Sequence, residues 1–354
     1  MFNFLLVFFS LFFLIILHEF SHFLAAKKSN VFVEEFGIGL PPRILGKKIG
    51  ETIYSLNLLP FGAFVKLEGE IGESGFGSQP LFKRMIIVLA GVISFWIIAW
   101  IIFIFLFKFG MPIAISDDEI SPQAKVQIIA IAKNSPAQIS GLRVGDKIIG
   151  ARHDKEEFKI EKVKEIQEFT QKYKGEKILL KIERGKEIFD LEIVPRTNPP
   201  SGEGPMGIVL SRIEIKKYPL WNSIVEGTKT TGELTLAIVK GYFLLIKNLI
   251  KGISPQAEIT GPVGIFNMMY QTSKIGISYF FHLLATLSIY LAVFNSLPIP
   301  ALDGGKFLFL LIEGVRKKPI SPEIERKVTA FFFTLLIMLA LWITIKDVTQ
   351  ILNQ

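Results

Sequence analysis

The chain reads as an α-helical polytopic membrane protein: four transmembrane helices, a membrane-associated β-hairpin and one inserted α+β domain. Three observations predict that class. Half of the 354 residues are hydrophobic and mean hydropathy is +0.44, more apolar than a soluble chain of this length. Runs that can cross a hydrocarbon core of about 30 Å as helix recur at 2–26, 85–109, 279–297 and 328–346. Lysines and arginines gather between the first and second runs and between the third and fourth.

The first run carries no charge from Met1 to Leu17. It has no basic leading region and no small-residue cleavage site, so it reads as a retained helix and not as a signal peptide. Lys27, Lys28, Arg43, Lys47, Lys48, Lys66, Lys83 and Arg84 follow it, and Arg316, Lys317, Lys318, Arg326 and Lys327 precede the fourth run. By the positive-inside rule both basic loops are cytoplasmic, so both termini and the segment from about 110 to 276 lie outside. Residues 1–109 thus form the first half of a membrane core and 278–354 the second. Between them stand an α+β domain at 116–196 and a connecting region at 197–277. Lys240 and Lys247 interrupt an apolar stretch there, which predicts an interfacial amphipathic helix over about 219–251. The formal net charge of +8 is spread along the chain beside apolar segments. That distribution suits a lipid bilayer as partner better than a nucleic-acid groove, so no nucleic acid is expected. With no cysteine, any metal must be held by His, Asp or Glu.

His18-Glu19-Phe20-Ser21-His22 closes the first run. Residues four apart share a helix face, so both imidazoles can reach one ion. Glu19 lies about 100° round the helix, near enough to take a proton from an attacking water. Ionisable groups are costly in a spanning helix, which points to function. A zinc hydrolase site commonly takes three protein ligands. A candidate third lies at the far end of the third span, in Asn295-Ser-Leu-Pro298-Ile-Pro300-Ala-Leu-Asp303-Gly-Gly. Pro298 and Pro300 cannot sustain helix, so the backbone is expected to unwind, and Gly304 and Gly305 to let it turn after Asp303. The charge topology places Asp303 and His22 at the same membrane depth.

At these residues the chain resembles the site-2 protease family of intramembrane zinc metalloproteases, and within it the bacterial regulator-of-sigma-E branch. The stretches that carry the likeness are HEFSHFLAAK, VEEFGIGLPPRI, YSLNLLPFGAFVKLEGE, ITGPVGI and NSLPIPALDGG. The resemblance implies Zn2+ held by His18, His22 and Asp303, with Glu19 as catalytic base. It implies that Asn295, with Pro298 in the same unwound segment, holds the substrate backbone near the metal. The family usually shows Gly-Pro followed shortly by Asn in the second span, whereas this chain reads Gly91-Val92-Ile93-Ser94-Phe95.

Glu51–Leu59 and Ala63–Glu68 flank Pro60-Phe61-Gly62, the pattern of a β-hairpin. It is too apolar for an ordinary cytoplasmic loop, which places it against the membrane or the catalytic helices. Its edge, with Leu56 and Leu58, is expected to pair with an unwound substrate by strand addition. The Gly- and Ser-rich stretch 68–79 reads as flexible loop. Asn134-Ser-Pro-Ala137 followed by Gly141-Leu-Arg-Val-Gly-Asp146 resembles a single PDZ domain, with strands at 126–132, 177–183 and 188–194 and a helix at 162–172. Such a domain could bind an exposed peptide end, or act as a filter against substrates with large outer domains. His153, in a charged loop, and His282, at the opposite membrane end, are not expected as ligands.

The expected activity is hydrolysis of peptide bonds in transmembrane segments of pre-trimmed single-span proteins, at the cytoplasmic side of a bacterial inner membrane. The alternative is a catalytically silent scaffold using its PDZ-like domain, which would need none of His18, Glu19, His22 and Asp303. A zinc transporter is the third reading, disfavoured because no second polar span supplies a pathway.

Overall fold

No glycine or proline interrupts the sequence from Phe2 to Lys28, and in the computed structural model it forms one helix, α1 (Phe2–Lys28). The structure describes residues 1–69, 75–253 and 260–352, so part of the 68–79 stretch lies outside the described residues. Lys27 and Lys28 sit in the last turn of α1, where cations oppose the negative end of the helix dipole. β1 (Val33–Ile49), β2 (Thr52–Leu67) and α2 (Leu81–Phe109) follow, and α2 stops at Gly110, whose φ is +141°. The soluble elements come next: β3 (Met111–Ile115), β4 (Lys125–Ile131), α3 (Pro136–Ile139), β5 (Lys147–His153), β6 (Glu156–Lys159), α4 (Val163–Lys172), β7 (Ile178–Arg184), β8 (Glu187–Ile193) and β9 (Ile208–Lys216). The chain ends in α5 (Leu220–Ile250), α6 (Pro262–Ile275), α7 (Ile277–Asn295), α8 (Asp303–Arg316) and α9 (Pro322–Leu352). Two compact units result: 1–104 with 224–273 and 281–354, and 105–223 with 274–280.

Among the described residues four helices are long and apolar enough to cross a membrane: α1, α2, α7 and α9, the last over Pro322–Thr349. They coincide with the four expected runs, with shifted ends. α9 begins earlier because Pro322 suits a first helical position and Ser321 Oγ accepts the Ile324 amide.

The hairpin is built differently from the expectation. The tight turn falls at Gly50-Glu51, where Gly50 has φ +62°, and not at Pro60-Phe61-Gly62. Residues 33–38 of β1 pair with 63–67 of β2 on one side and with 53–56 on the other, while 43–49 pair with 52–57. The two arms flanking Pro60 are therefore separated by a strand. Proline cannot donate to a ladder, and Gly62 (φ +91°) lets β2 swing over the inserted strand. Among the described residues the unpaired edges of this sheet are 43–49 and 63–67. Leu56 lies inside, paired with both Ile38 and Leu45.

Two further departures concern helices. Asp303 opens α8 in place of a glycine turn. Gly304 and Gly305 are helical, and their role is close approach: a Cβ on Gly304 would lie 2.3 Å from Leu297 O, and one on Gly305 2.1 Å from Ile299 O. The 296–302 segment is thus pressed onto the first turn of α8. The connecting region contains α6 as well as α5. The α6 N-terminus is held by the buried carboxylate of Asp347 on α9, which accepts the amides of Gly261 (3.2 Å) and Gly264 (2.7 Å). Trp96 and Trp100 of α2 donate to Thr235 and Thr228 of α5, so α5 is fastened along α2.

In the second unit β3–β9–β4–β5–β7–β8 form one sheet, with β6 on β5. Ile178, Leu180 and Ile182 of β7 alternate into a core with Ile128, Ile148 and Ile166. Asp146 is buried beneath the Gly141–Asp146 turn, accepting Arg184 Nε (2.6 Å), Arg184 Nη2 (2.7 Å) and the Arg143 amide (2.8 Å). The sheet is wider than 116–196, because β3 and β9 pair with each other and β9 with β4. β3 was hidden by its continuity with an apolar span, and β9 by the Pro- and Gly-rich 198–207 before it.

Candidate metal centre

Helical spacing places His18 and His22 on one face of α1, their ring centroids 4.8 Å apart. The His18 ring stacks on Phe95 of α2 at 4.6 Å and 14°. His22 Nδ1 lies 2.8 Å from the Ile87 carbonyl oxygen. A carbonyl only accepts, so Nδ1 carries the proton and donates, which leaves the lone pair on Nε2. Both Nε2 atoms turn toward Asp303 at the start of α8: His18 Nε2 is 3.4 Å and His22 Nε2 3.3 Å from Asp303 Oδ2. The three side chains are only 12%, 14% and 17% exposed.

One candidate ligand atom from each residue lies within 4.8 Å of the other two. Asp303 Oδ2 is buried and closes no hydrogen bond despite two nitrogens beside it. An orphaned buried carboxylate oxygen is costly in an apolar setting. Two imidazoles and a carboxylate converging on it match a borderline cation such as zinc, which takes nitrogen and oxygen donors together. The residues present fit that ion.

Glu19 and His22 share with Asp303 a cavity of about 220 Å³, whose walls include Val65 and Leu67 of β2, Ile87 and Val88 of α2, and Phe309 and Leu310 of α8. Asn295, Pro298, Leu56 and Leu58 do not form part of that wall. Asn295 Nδ2 donates to Leu291 O (2.9 Å) on its own helix, and Pro298 is exposed in the 296–302 segment. Leu56 and Leu58 are 48% and 56% exposed. Among the described residues neither His153 nor His282 joins a three-residue metal cluster. His153 pairs with Glu176 (2.6 Å) and stacks on Tyr173, and His282 lies against Phe103.

Gly91, quoted above only for the pattern of the second span, also shapes the centre. A Cβ there would sit 2.1 Å from His22 Nε2 and 2.6 Å from His18 Cε1. The position thus needs no side chain so that α2 can close on both rings. Ser94 Oγ donates to Gly91 O (2.6 Å), and Ser288 Oγ donates to Phe95 O (2.8 Å), which ties this part of α2 to α7. The available signal was a glycine inside an otherwise bulky span, the mark of close helix approach.

A histidine pair on a bilayer-length helix and an aspartate at the start of α8, with a glutamate in the adjoining cavity, define a membrane metallohydrolase. The chain belongs to Peptidase family M50, the site-2 proteases, whose family model matches residues 6–339. It is similar to a protein of Clostridium perfringens assigned as a zinc metalloprotease, 33% identical over 340 residues and covering 95% of both chains. It is also similar to the chloroplastic membrane metalloprotease ARASP of Arabidopsis thaliana, 31% identical over 94% of this chain and 76% of that one. A third relative is the regulator of sigma-W protease RasP of Bacillus subtilis, 25% identical over 95% or more of both chains (96% each). The protein is a zinc metalloprotease of the membrane, with Zn2+ as its cofactor.

Replacing Gly91 with alanine is expected to weaken zinc binding about 10–100-fold, the range for disturbed ligand orientation. Ile93→Ala, two residues away at an exposed site, is expected to match the parent. Competition with a chelating dye measures both. Parent-like affinity in Gly91→Ala would contradict the packing described.

Proposed function

We propose that His18, His22 and Asp303 hold the zinc and that Glu19 is the general base of an intramembrane endopeptidase. The observation that carries this reading is the convergence of three donor atoms within 4.8 Å beside a cavity that Glu19 enters. Zinc, when bound, supplies a Lewis acid for the scissile carbonyl. Ile87 holds His22 in the tautomer that offers Nε2, and Phe95 holds the His18 ring. Glu19 takes the proton of the attacking water and returns it to the leaving amine. The apolar part of the cavity wall, from Val65, Leu67, Ile87, Val88 and Leu310, limits bulk water on that side of these charges, which strengthens their effect on the reacting atoms.

The substrates proposed are transmembrane segments of single-span proteins whose outer parts have already been removed. A helix hides its amides in internal hydrogen bonds, so the segment must be extended before cleavage. The 63–67 edge of β2 suits that task. Its outer side is unpaired in the sheet, while Val65 and Leu67, two residues apart and so on one face, line the cavity. This edge takes the role first expected of the strand with Leu56 and Leu58. Asn295 is proposed to turn from Leu291 toward the substrate backbone when a segment is present. The second unit is proposed as a PDZ-like module for peptide ends or for size filtering. Its turn at Asp146, and α4 flanking the sheet, support the likeness.

The basic loops support an inner-membrane orientation in which the metal centre faces the cytoplasm while both termini and the second unit face outward.

Glu19→Gln is expected to lower cleavage of a trimmed single-span substrate about 10²–10⁴-fold while zinc content stays at the parent level. Cleavage at the parent rate would refute the assignment. Because the chain has no cysteine, Leu67→Cys in a Glu19→Gln background gives a clean cross-linking probe. Disulfides to single-cysteine substrates are expected at every second substrate position, and a helical period of three to four would sink strand addition. Orientation is checked with Glu51→Cys and Lys155→Cys and a membrane-impermeant maleimide. Labelling is expected from opposite faces of the membrane, and labelling from one face would overturn the topology.

A further inference from the structure

The zinc site is divided among three helices, and nothing in the ligands themselves sets the register between α2 and α8. α2 carries the Ile87 carbonyl that orients His22 and the glycine that admits both rings, while α8 carries Asp303. The contact between these helices is largely apolar: Ile87, Val88 and Leu310 are buried together, with Leu81, Met85 and Phe307 packed on them. Apolar burial is non-directional, so such a contact tolerates sliding and rotation. A slip of one residue turns a helix by about 100° and would carry Asp303 away from the imidazoles.

A directional contact crosses this seam. Arg84 and Glu313 form a two-pronged ion pair, Arg84 Nη1 to Glu313 Oε2 at 3.0 Å and Arg84 Nη2 to Glu313 Oε1. Arg84 Nε donates to Gln79 O (3.1 Å), so the guanidinium plane is fixed from its own side as well. Beside the pair, Gly314 admits Leu81: a Cβ there would lie 2.9 Å from the Leu81 side chain. The pair is 11% and 19% exposed, and both residues line the cavity that holds Glu19, His22 and Asp303. Charges withdrawn from water in this way are poor stabilisers compared with apolar side chains of similar size. What a forked pair supplies in return is geometry, since both hydrogen bonds form at one register only.

We infer that Arg84 and Glu313 are a positioning pair that locks the register of α8 against α2 and thereby holds Asp303 at the distance from His18 and His22 that zinc requires. The inference rests on the proposed ligand set, and extends it to two residues outside that set. Arg84 lies one turn before Ile87 on α2, and Glu313 lies about 15 Å along α8 from Asp303. A hydrogen-bonded helix is stiff over that length, so the register fixed at one end is delivered at the other.

The test uses the full chain purified in detergent and reads zinc affinity by chelator competition, kcat, KM and thermal unfolding. Arg84→Gln and Glu313→Gln are each expected to weaken zinc about 10–100-fold and to lower kcat with KM little changed. Arg84→Lys keeps the charge but not the fork and is expected to stay impaired, while the reversed pair Arg84→Glu with Glu313→Arg regains most of the loss. Should single variants fail to fold, Arg84→Met with Glu313→Leu fills the space with apolar side chains. It is expected to be at least as heat-stable as the parent and still to bind zinc weakly. Parent-like zinc affinity in that double variant, or in folded single variants, would overturn the inference, as would a reversed pair no better than either single change. Asp303→Asn in the same series separates the two levels. Loss of zinc there, beside parent affinity in the pair variants, sinks the register lock and leaves the ligand set standing. Full zinc retention in Asp303→Asn overturns the ligand set and the register lock with it.

Discussion

The membrane unit depends on one constraint: a carboxylate oxygen and two imidazole nitrogens meet between helices that pack largely through apolar side chains. Without a cation the meeting is unfavourable, because Asp303 Oδ2 is buried with no hydrogen bond. A zinc ion held there, as proposed, would remove that penalty and tie α1 to α8. The surrounding details follow from keeping the three donors aimed. The Ile87 carbonyl selects the His22 tautomer, Phe95 supports the His18 ring, and Gly91 lets α2 close on both.

Short-range exclusions do much of the aiming. Gly304 and Gly305 are helical residues chosen for what they lack, because any Cβ would strike the carbonyls of 297 and 299. This contact presses the proline-containing segment onto the start of α8 and sets the origin of the Asp303 side chain. Asp347 acts similarly at the other end of α9, where its buried carboxylate gathers the amides of Gly261 and Gly264. The Thr260-Gly-Pro-Val-Gly264 stretch thereby has a physical role: a glycine-lined N-terminus shaped to receive a carboxylate from a spanning helix.

Much of this was legible in sequence, for identifiable reasons. Four spans could be read because length and apolarity are local properties, and the His18/His22 face because helical periodicity is local too. Asp303 could be placed because charge bias set the depth of both helices. Pairing across distance was less visible. The Pro60-Phe61-Gly62 turn looked like a hairpin because sequence does not show that residues 33–38 insert between its arms. α8 was missed because Gly304-Gly305 reads as a turn when its neighbours are unknown. The importance of Gly91 was hidden because a glycine's role lies in what approaches it. In the second unit, the β7 and β8 strands and α4 followed from alternation and charge. β3 and β9 did not, since they join the sheet only through partners far along the chain.

In the proposed centre one zinc ion is held by His18, His22 and Asp303. Zinc K-edge X-ray absorption on the purified protein tests it most directly, comparing the parent with Asp303→Asn. The expected parent spectrum shows two imidazoles and oxygen ligands at about 2.0–2.2 Å with no sulfur. One oxygen is altered, or zinc is lost, in the Asp303→Asn variant. A parent spectrum with one or three imidazoles, or an Asp303→Asn spectrum unchanged at full zinc content, would contradict it.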